Sequence, residues 1–404
     1  MLKVVSTKQV RLGMFVHELK GAWIDHPFWK NAFKLTEAAD LKKLQASSIK
    51  EVVIDTSKGL DVAAEASAQS EVTSSEALPA QQATASSEPQ IKRIAAGEER
   101  ARAKQVIAAS KKAVASMFND VRMGNVIKVE AAMQFVDDIA ASVARNEGAL
   151  ISLVRLKTKD DYTYMHSVAV CALMVALAKE LGMTHEERMQ AGLAGLLHDI
   201  GKAAVPLDVL NKPGALTEDE FSLVKLHPER GHELLIQANI TDPLTLDVCL
   251  HHHEKVNGTG YPHGLQGDAI SLFARMGAIC DVYDAVTSNR PYKEGWEPGV
   301  SLQRMVQWAG HFDDVVFKAF VKSVGIYPIG SMVKLKSGRL AVVIDQSPKS
   351  LLTPIVKVFF STKSKTRLPV EILDLSKGGA NDAIVGHEDP VLWGVLDVDK
   401  LWAE

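Results

Sequence analysis

A histidine and an aspartate stand side by side at His198-Asp199, late in the apolar run AGLAGLLHDIGK. At one helix end, an imidazole nitrogen and a carboxylate oxygen can reach the same cation, and the carboxylate keeps a second oxygen for another. Taken alone, the pair reads equally well as a capping dipeptide with Lys202 as a solvated charge. Lys202 lies three residues past Asp199 on the same face and could instead meet an anion beside the metal. Nine of the thirteen histidines lie between positions 166 and 263, which locates the chemistry there. His166 sits early in an apolar helix, where a lone histidine is more often simply packed. His227 precedes Pro228, and His232 lies farther along the next helix. The stretch HHHEKVNGTGYPHG (251–264) places His252 and His253 at the end of a helix that begins at Asp242-Pro243. Asp281 and Asp284 stand three apart in the apolar GAICDVYDAVTS, where a carboxylate must be either salt-bridged or metal-bound.

Four to five histidines and two carboxylates are more than one ion needs, so at least two metals bridged by a carboxylate are expected. Imidazole with carboxylate suits Fe, Mn, Ni or Zn. Two such ions roughly 3.5–4 Å apart clamp a phosphoryl group and generate hydroxide between them. Arg290 and Lys293, in TSNRPYKEG, could then hold phosphate oxygens. The residues point to a metal-dependent phosphohydrolase with its substrate open.

Helices must position these groups, and their signals run from 91 to about 325. Thr184 with Glu187 and Thr217 with Glu220 fit capping boxes, and Asp242-Pro243 fits a cap followed by a first-turn proline. The helix carrying His198 should end near Gly201. Residues 1–60 read as a small mixed domain: a strand pair in KQVRLGMFVHEL, a strand in IKEVVIDT, and a helix in TEAADLKKLQAS capped by Thr36. The aromatics of GAWIDHPFWKNAF are expected to form its core. Residues 61–90 contain no Lys or Arg and almost no large apolar residue, which predicts a disordered linker. Beyond 325 the texture changes, with a hairpin around Ser337-Gly338 and a strand at IVKVFF. The expectation is a multidomain α+β chain. A mainly helical catalytic region (91–325) lies between a small mixed α/β domain and a β-containing extension (326–404).

The 404 residues carry a net charge of -3 with no long basic run, which argues against nucleic acid as a partner. Cys171, Cys249 and Cys280 form no CxxC pair, and their odd number argues against a disulfide framework. The start lacks an apolar signal core, and the run 167–182 meets Lys179 and Glu180 too soon to span a bilayer. The chain reads as cytoplasmic, with no membrane association.

From about Asp160 to Lys293, the motifs DYTYMHS, LLHDIGKAAVP, KLHPERG, HHHEKVNGTGYPHGLQGDAI and DVYDAVTSNRPYK resemble the HD-GYP family. That family is a branch of the HD phosphohydrolases that degrades cyclic di-GMP. The resemblance implies two divalent ions, iron or manganese foremost, with nickel or zinc as alternatives. It implies His166, His198, Asp199 and Asp281 as ligands of one and His227, His252 and His253 of the other, with Asp199 bridging. Asp199 and Lys202 become the expected catalytic residues, and Lys202, Tyr261, Arg290 and Lys293 the substrate contacts. The implied reaction is in-line attack of a metal-bridging hydroxide, giving pGpG and in some members GMP. Members with a third metal carry Glu four residues before the first histidine. Tyr162 stands there, which implies two metals and favours pGpG. Asn257 replaces a frequent Asp, with little consequence expected. The N-terminal stretch resembles a domain of unknown function that often precedes these modules, so a regulatory role is expected of it. Cyclic di-GMP is the expected substrate and diguanylate cyclases are candidate signalling partners. A slow cyclic di-GMP receptor, or a hydrolase of another cyclic dinucleotide, are the alternative readings. Oligomeric state stays open. Glu254 is expected to orient a ligand, His251 carries no role, and His232 and His263 are expected to be structural. His17, His26, His185, His311 and His387 read as ordinary surface or packing residues.

Overall fold

The computed structural model describes residues 2–20, 33–36, 38–45, 50–60, 92–125, 129–157, 162–212, 214–288, 295–348, 350–377, 382–395 and 397–403. The chain divides into two compact units, Met1–Gln90 and Ile91–Glu404. The expected linker and most of GAWIDHPFWKNAF, with His26, lie outside the described residues.

The first unit holds strands β1 (Leu2–Ser6), β2 (Phe15–Lys20), β3 (Phe33–Lys34) and β4 (Glu51–Asp55), with helix α1 (Ala38–Gln45). Its antiparallel sheet runs in the order β1-β4-β2-β3, and Val5, Val16, Leu35, Leu44, Val52 and Ile54 form its core. The strand pair expected in KQVRLGMFVHEL is not formed. Ser6 and Gln9 close a capping box around a 3-10 turn at Thr7–Gln9, and the strand beside β4 comes from Leu2–Ser6 instead.

The second unit begins with α2 (Ala96–Arg122), α3 (Val129–Val154), α4 (Tyr162–Glu180) and α5 (His185–Leu197). A 3-10 turn at Ile200–Ala204 follows, then α6 (Leu207–Leu210), α7 (Glu218–Lys225), α8 (His227–Gln237) and α9 (Pro243–His251). Next come α10 (Leu272–Thr287), α11 (Pro298–Met305) and α12 (Asp314–Val324). Both capping boxes form, at Thr184 and Thr217, and Asp242 caps α9 through Thr245 N. Residues 165–178 of α4 are buried on every face, so this is the central helix, packed by α3, α5, α10 and α12. Each large apolar side chain withdrawn there contributes about 1.5–3 kcal/mol.

Strands β5 (Met332–Leu335), β6 (Arg339–Asp345), β7 (Ile355–Ser361), β8 (Thr366–Asp374) and β9 (Ile384–His387), then helix α13 (Val398–Ala403), complete the unit. The antiparallel sheet runs β8-β7-β6-β5-β9, with the hairpin around Ser337-Gly338 as expected. Its buried residues, among them Val342 and Val356, join one core with Trp402 of α13 and with Phe118, Leu150 and Leu196 of the preceding helices. A polar clasp reinforces that join. Ala95 at the N-cap of α2 has no side-chain oxygen, and Asp345 Oδ2 accepts from Ala96 N at 2.9 Å in its place. Asp345 Oδ1 accepts from Arg93 and from Asn146, the residue at which α3 kinks.

Candidate metal centre

Three of the expected ligands stand at or just beyond helix C-termini, where backbone carbonyls lack intrahelical partners. His198 is the C-cap of α5 and donates Nδ1–H to Gly195 O at 2.8 Å. His227 follows the end of α7 and donates to Val224 O at 2.7 Å. His252 is the C-cap of α9 and donates to Val248 O at 3.0 Å. A carbonyl can only accept, so each Nδ1 carries the proton and each Nε2 lone pair is left for the centre. His166, inside α4, donates Nδ1–H to Asp284 Oδ2 at 2.6 Å. Lys157, with its side chain fully buried, is ion-paired to the same oxygen, and Ser288 donates to Asp284 Oδ1 at 3.3 Å.

Donor atoms of His166, His198 and Asp199 gather in one group, and those of His227, His252 and His253 in another. Asp199 lies between them. Its Oδ2 is 3.4 Å from both His166 Nε2 and His198 Nε2, while Oδ1 is 3.2 Å from His227 Nε2 and 3.8 Å from His252 Nε2. Asp281 is divided in the same way, with Oδ1 3.0 Å from His166 Nε2 and Oδ2 3.7 Å from His253 Nδ1. Gly201 makes the close packing possible. A Cβ there would stand 1.9 Å from His227 O, so only glycine lets the turn after Asp199 lie against the start of α8.

Burial alone would raise the Asp199 carboxyl, but Lys202 and His198 beside it hold it well below the usual carboxylate range. Asp281 is likewise held well below that range, burial being outweighed by His166, His253 and His198. Burial and neighbouring imidazoles push His252 well below its ordinary value, and burial pushes His253 down to about 3. Ionised acids and neutral imidazoles are the protonation states that bind metal.

The donor set fits a cation. His227 Nε2 and His252 Nε2 lie 3.3 Å apart with both Nδ1 protons committed to carbonyls, so two lone pairs face one another. His198 Nε2 and Asp199 Oδ1 are buried and make no hydrogen bond among the described residues. Positive charge placed among these atoms satisfies all of them at once.

The centre opens into a cleft of about 340 Å³ lined by His166, Lys202, His253 and Tyr261, and also by Lys255 and His311. Lys202 Nζ is 2.5 Å from Asp199 Oδ2. The Tyr261 ring stacks on His253 at 4.7 Å, with Lys225 Nζ 5.4 Å over its face, and the Tyr261-Pro262 bond is cis. Arg290 and Lys293 lie outside the described residues, as does the side chain of Tyr162.

Sequence reasoning misplaced three roles. Glu254 makes no hydrogen bond to a ligand ring among the described residues. It is buried, and it accepts from the backbone N–H of His263 at 2.7 Å and of Leu265 at 3.0 Å, closing the loop that presents Tyr261. Gly260 packs against that residue, since a Cβ would lie 2.4 Å from Glu254 Cα. His251 is not idle, because its Nδ1 binds Asp247 Oδ1 at 2.7 Å and its Nε2 lies 3.0 Å from His263 Nδ1. His311, read as ordinary, lines the cleft. No short-range spacing marks it or Lys157.

Residues 2–132 match a model described as a domain of unknown function, DUF3391, and residues 143–316 match the HD domain. The chain is 53% identical over 403 residues to Cyclic di-GMP phosphodiesterase PA4108 of Pseudomonas aeruginosa, covering 100% of this chain and 96% of that protein. It is 45% identical to the Cyclic di-GMP phosphodiesterase response regulator RpfG of Xanthomonas campestris, over 34% of this chain and 37% of that one. It is 37% identical to 3'3'-cGAMP-specific phosphodiesterase 1 of Vibrio cholerae, over 41% of this chain and 38% of that one.

Proposed function

The chain belongs to the HD-GYP family of HD-domain phosphodiesterases, and from that membership we propose that it hydrolyses cyclic di-GMP to linear pGpG. The observation that carries the reading is Asp199, whose two oxygens face two separate groups of imidazole nitrogens. His166, His198, Asp199 and Asp281 would hold one divalent ion, and His227, His252 and His253 with Asp199 the second. Iron or manganese are the first candidates, and nickel or zinc the next. Such ions supply charge stabilisation at a phosphoryl oxygen and a lowered pKa for water.

The chain's own residues do the rest. Asp199 and Asp281 keep negative charge at the centre at neutral pH, and the carbonyl-anchored imidazoles need no reorientation. Lys202, which lies beside Asp199, would neutralise a non-bridging phosphate oxygen. Tyr261 presents an uncharged hydroxyl, since burial pushes its phenol up. Arg290 and Lys293 are read as further phosphate contacts. Tyr162, standing where a third metal would want an acid, is the basis for proposing two ions and pGpG rather than GMP as the end product. The messenger chemistry puts the enzyme in the cytoplasm, opposed to the diguanylate cyclases that make its substrate. The N-terminal unit is read as regulatory, and unchanged kinetics after deletion of residues 1–90 would remove that role. Among the described residues, no helix is long and apolar enough to cross a membrane.

Anaerobic purification, metal analysis per chain and chromatography of cyclic di-GMP with Fe or Mn supplied test the whole reading. Two ions and pGpG are expected, and Asp199→Ala should lose both metal and turnover. Tight binding without product would support a receptor instead. The similarity to a 3'3'-cGAMP-specific enzyme makes that dinucleotide the comparison substrate.

A further inference from the structure

We propose that Lys255 is a substrate-binding residue that neutralises the second phosphodiester of a cyclic dinucleotide, the one not being cut. The inference rests on the cyclic di-GMP reading and extends it to a residue outside the metal centre. Lys255 lines the metal cleft, is half-buried, and has no ion pair among the described residues. Each carboxylate of the cleft is already committed. Asp199 is paired with Lys202 and the histidines, and Asp281 with His166 and His253. Glu254 spends both oxygens on the backbone N–H groups of its loop. A half-buried cation with no counter-ion among the described residues, in a cleft of about 340 Å³, is a site for an anion.

The wall that carries it is built, not incidental. Val256 N donates to His311 O at 3.2 Å and Asn257 N to Gly310 O at 2.9 Å, so the turn before α12 is tied to the residues following Lys255. His311 in turn stacks on Phe312 at 4.3 Å, which fixes the far side of the wall. Burial and the nearby lysine hold His311 down to about 4, leaving Lys255 as the charge on this wall. A cyclic dinucleotide carries two phosphodiester charges. With one at the metals, the other enters a partly desolvated cleft and needs a point cation, which an ammonium provides.

The test compares the full-length, metal-loaded enzyme with its Lys255→Gln and Lys255→Arg variants. Two substrates are used: cyclic di-GMP, with two phosphodiesters, and bis(p-nitrophenyl) phosphate, with one. Metal per chain is measured for each protein. For Lys255→Gln, KM for cyclic di-GMP should rise about tenfold with little change in kcat, the loss of one charge-assisted hydrogen bond. The ratio of kcat/KM for cyclic di-GMP to that for the single phosphodiester should fall by a similar factor, and Lys255→Arg should restore most of it. An unaltered KM, an equal loss on both substrates, or a fall in bound metal would each overturn the proposal. A wild-type enzyme that cuts bis(p-nitrophenyl) phosphate but neither binds nor cuts cyclic di-GMP would overturn the substrate reading, and the proposal with it.

Discussion

Asp284 Oδ2 accepts the Nδ1 proton of His166 at 2.6 Å, and the carboxylate is thereby turned away from the metal centre. Lys157 shares the same oxygen and Ser288 donates to the other, so both oxygens are engaged by protein groups. Asp281, one helical turn earlier on α10, faces the centre instead. Two carboxylates three residues apart thus do different work: one meets the ions, and the other orients the imidazole that meets them.

Asp284→Asn should lower metal affinity about 10–100-fold, the usual effect of removing a partner that orients a ligand. Competition against a chromophoric chelator measures it. The single variant also removes the carboxylate that the buried Lys157 ammonium is paired with, at a cost of up to about 3–5 kcal/mol. The double variant Lys157→Met/Asp284→Asn should regain stability and not affinity. Recovery of both would show that the pair matters for folding alone.

Gly201→Ala should destabilise the second unit by about 1–3 kcal/mol or more, because the added methyl meets backbone that no rotamer change can move. Chemical denaturation reads the loss. Metal content should drop with it, since the turn carrying Asp199 is forced away from His227.

Glu254→Ala leaves two backbone N–H groups of the Tyr261 loop without their acceptor, at about 1–3 kcal/mol each if they stay buried. KM should rise while metal per chain stays at the wild-type value. Loss of metal would instead return Glu254 to the ligand-orienting role expected from sequence.

Stability of the second unit should fall as pH drops below about 6.5, in part through His387. Burial pushes its imidazole below the ordinary value, against a smaller opposing pull from Glu297. The unfolded chain therefore takes up a proton near pH 6.5 that the folded chain refuses, so this contribution is present above that pH and lost below it. Denaturation of His387→Gln at pH 7.5, 6.5 and 5.5 should show a shallower slope than wild type. An identical slope would remove His387 from the account.

Much of the helical frame was legible because helix ends are local events. Thr184, Thr217 and Asp242 each cap a helix through the backbone N–H three residues on, and their side-chain types declare it. Pairs such as His198-Asp199 and His252-His253 were legible for a related reason: a histidine at a helix end finds its carbonyl three or four residues back. The strand pair expected near residue 8 was misread because a local capping box outcompeted it.

By itself the sequence determined which residue types could hold metal, where the helices capped by Thr184, Thr217 and Asp242 start, and the family whose motifs they match. Tertiary structure alone decided how those types were used. It turned Asp284 to His166 with Lys157 behind it, and gave Glu254 to a loop rather than a ligand. It also brought His311 beside Lys255 and capped α2 with Asp345 from the distant sheet. The physical reason is common to these cases. A buried charge must find its partner wherever packing brings one, and a partner outside the same helical turn leaves no trace in local spacing, whether it lies nine residues away or more than two hundred.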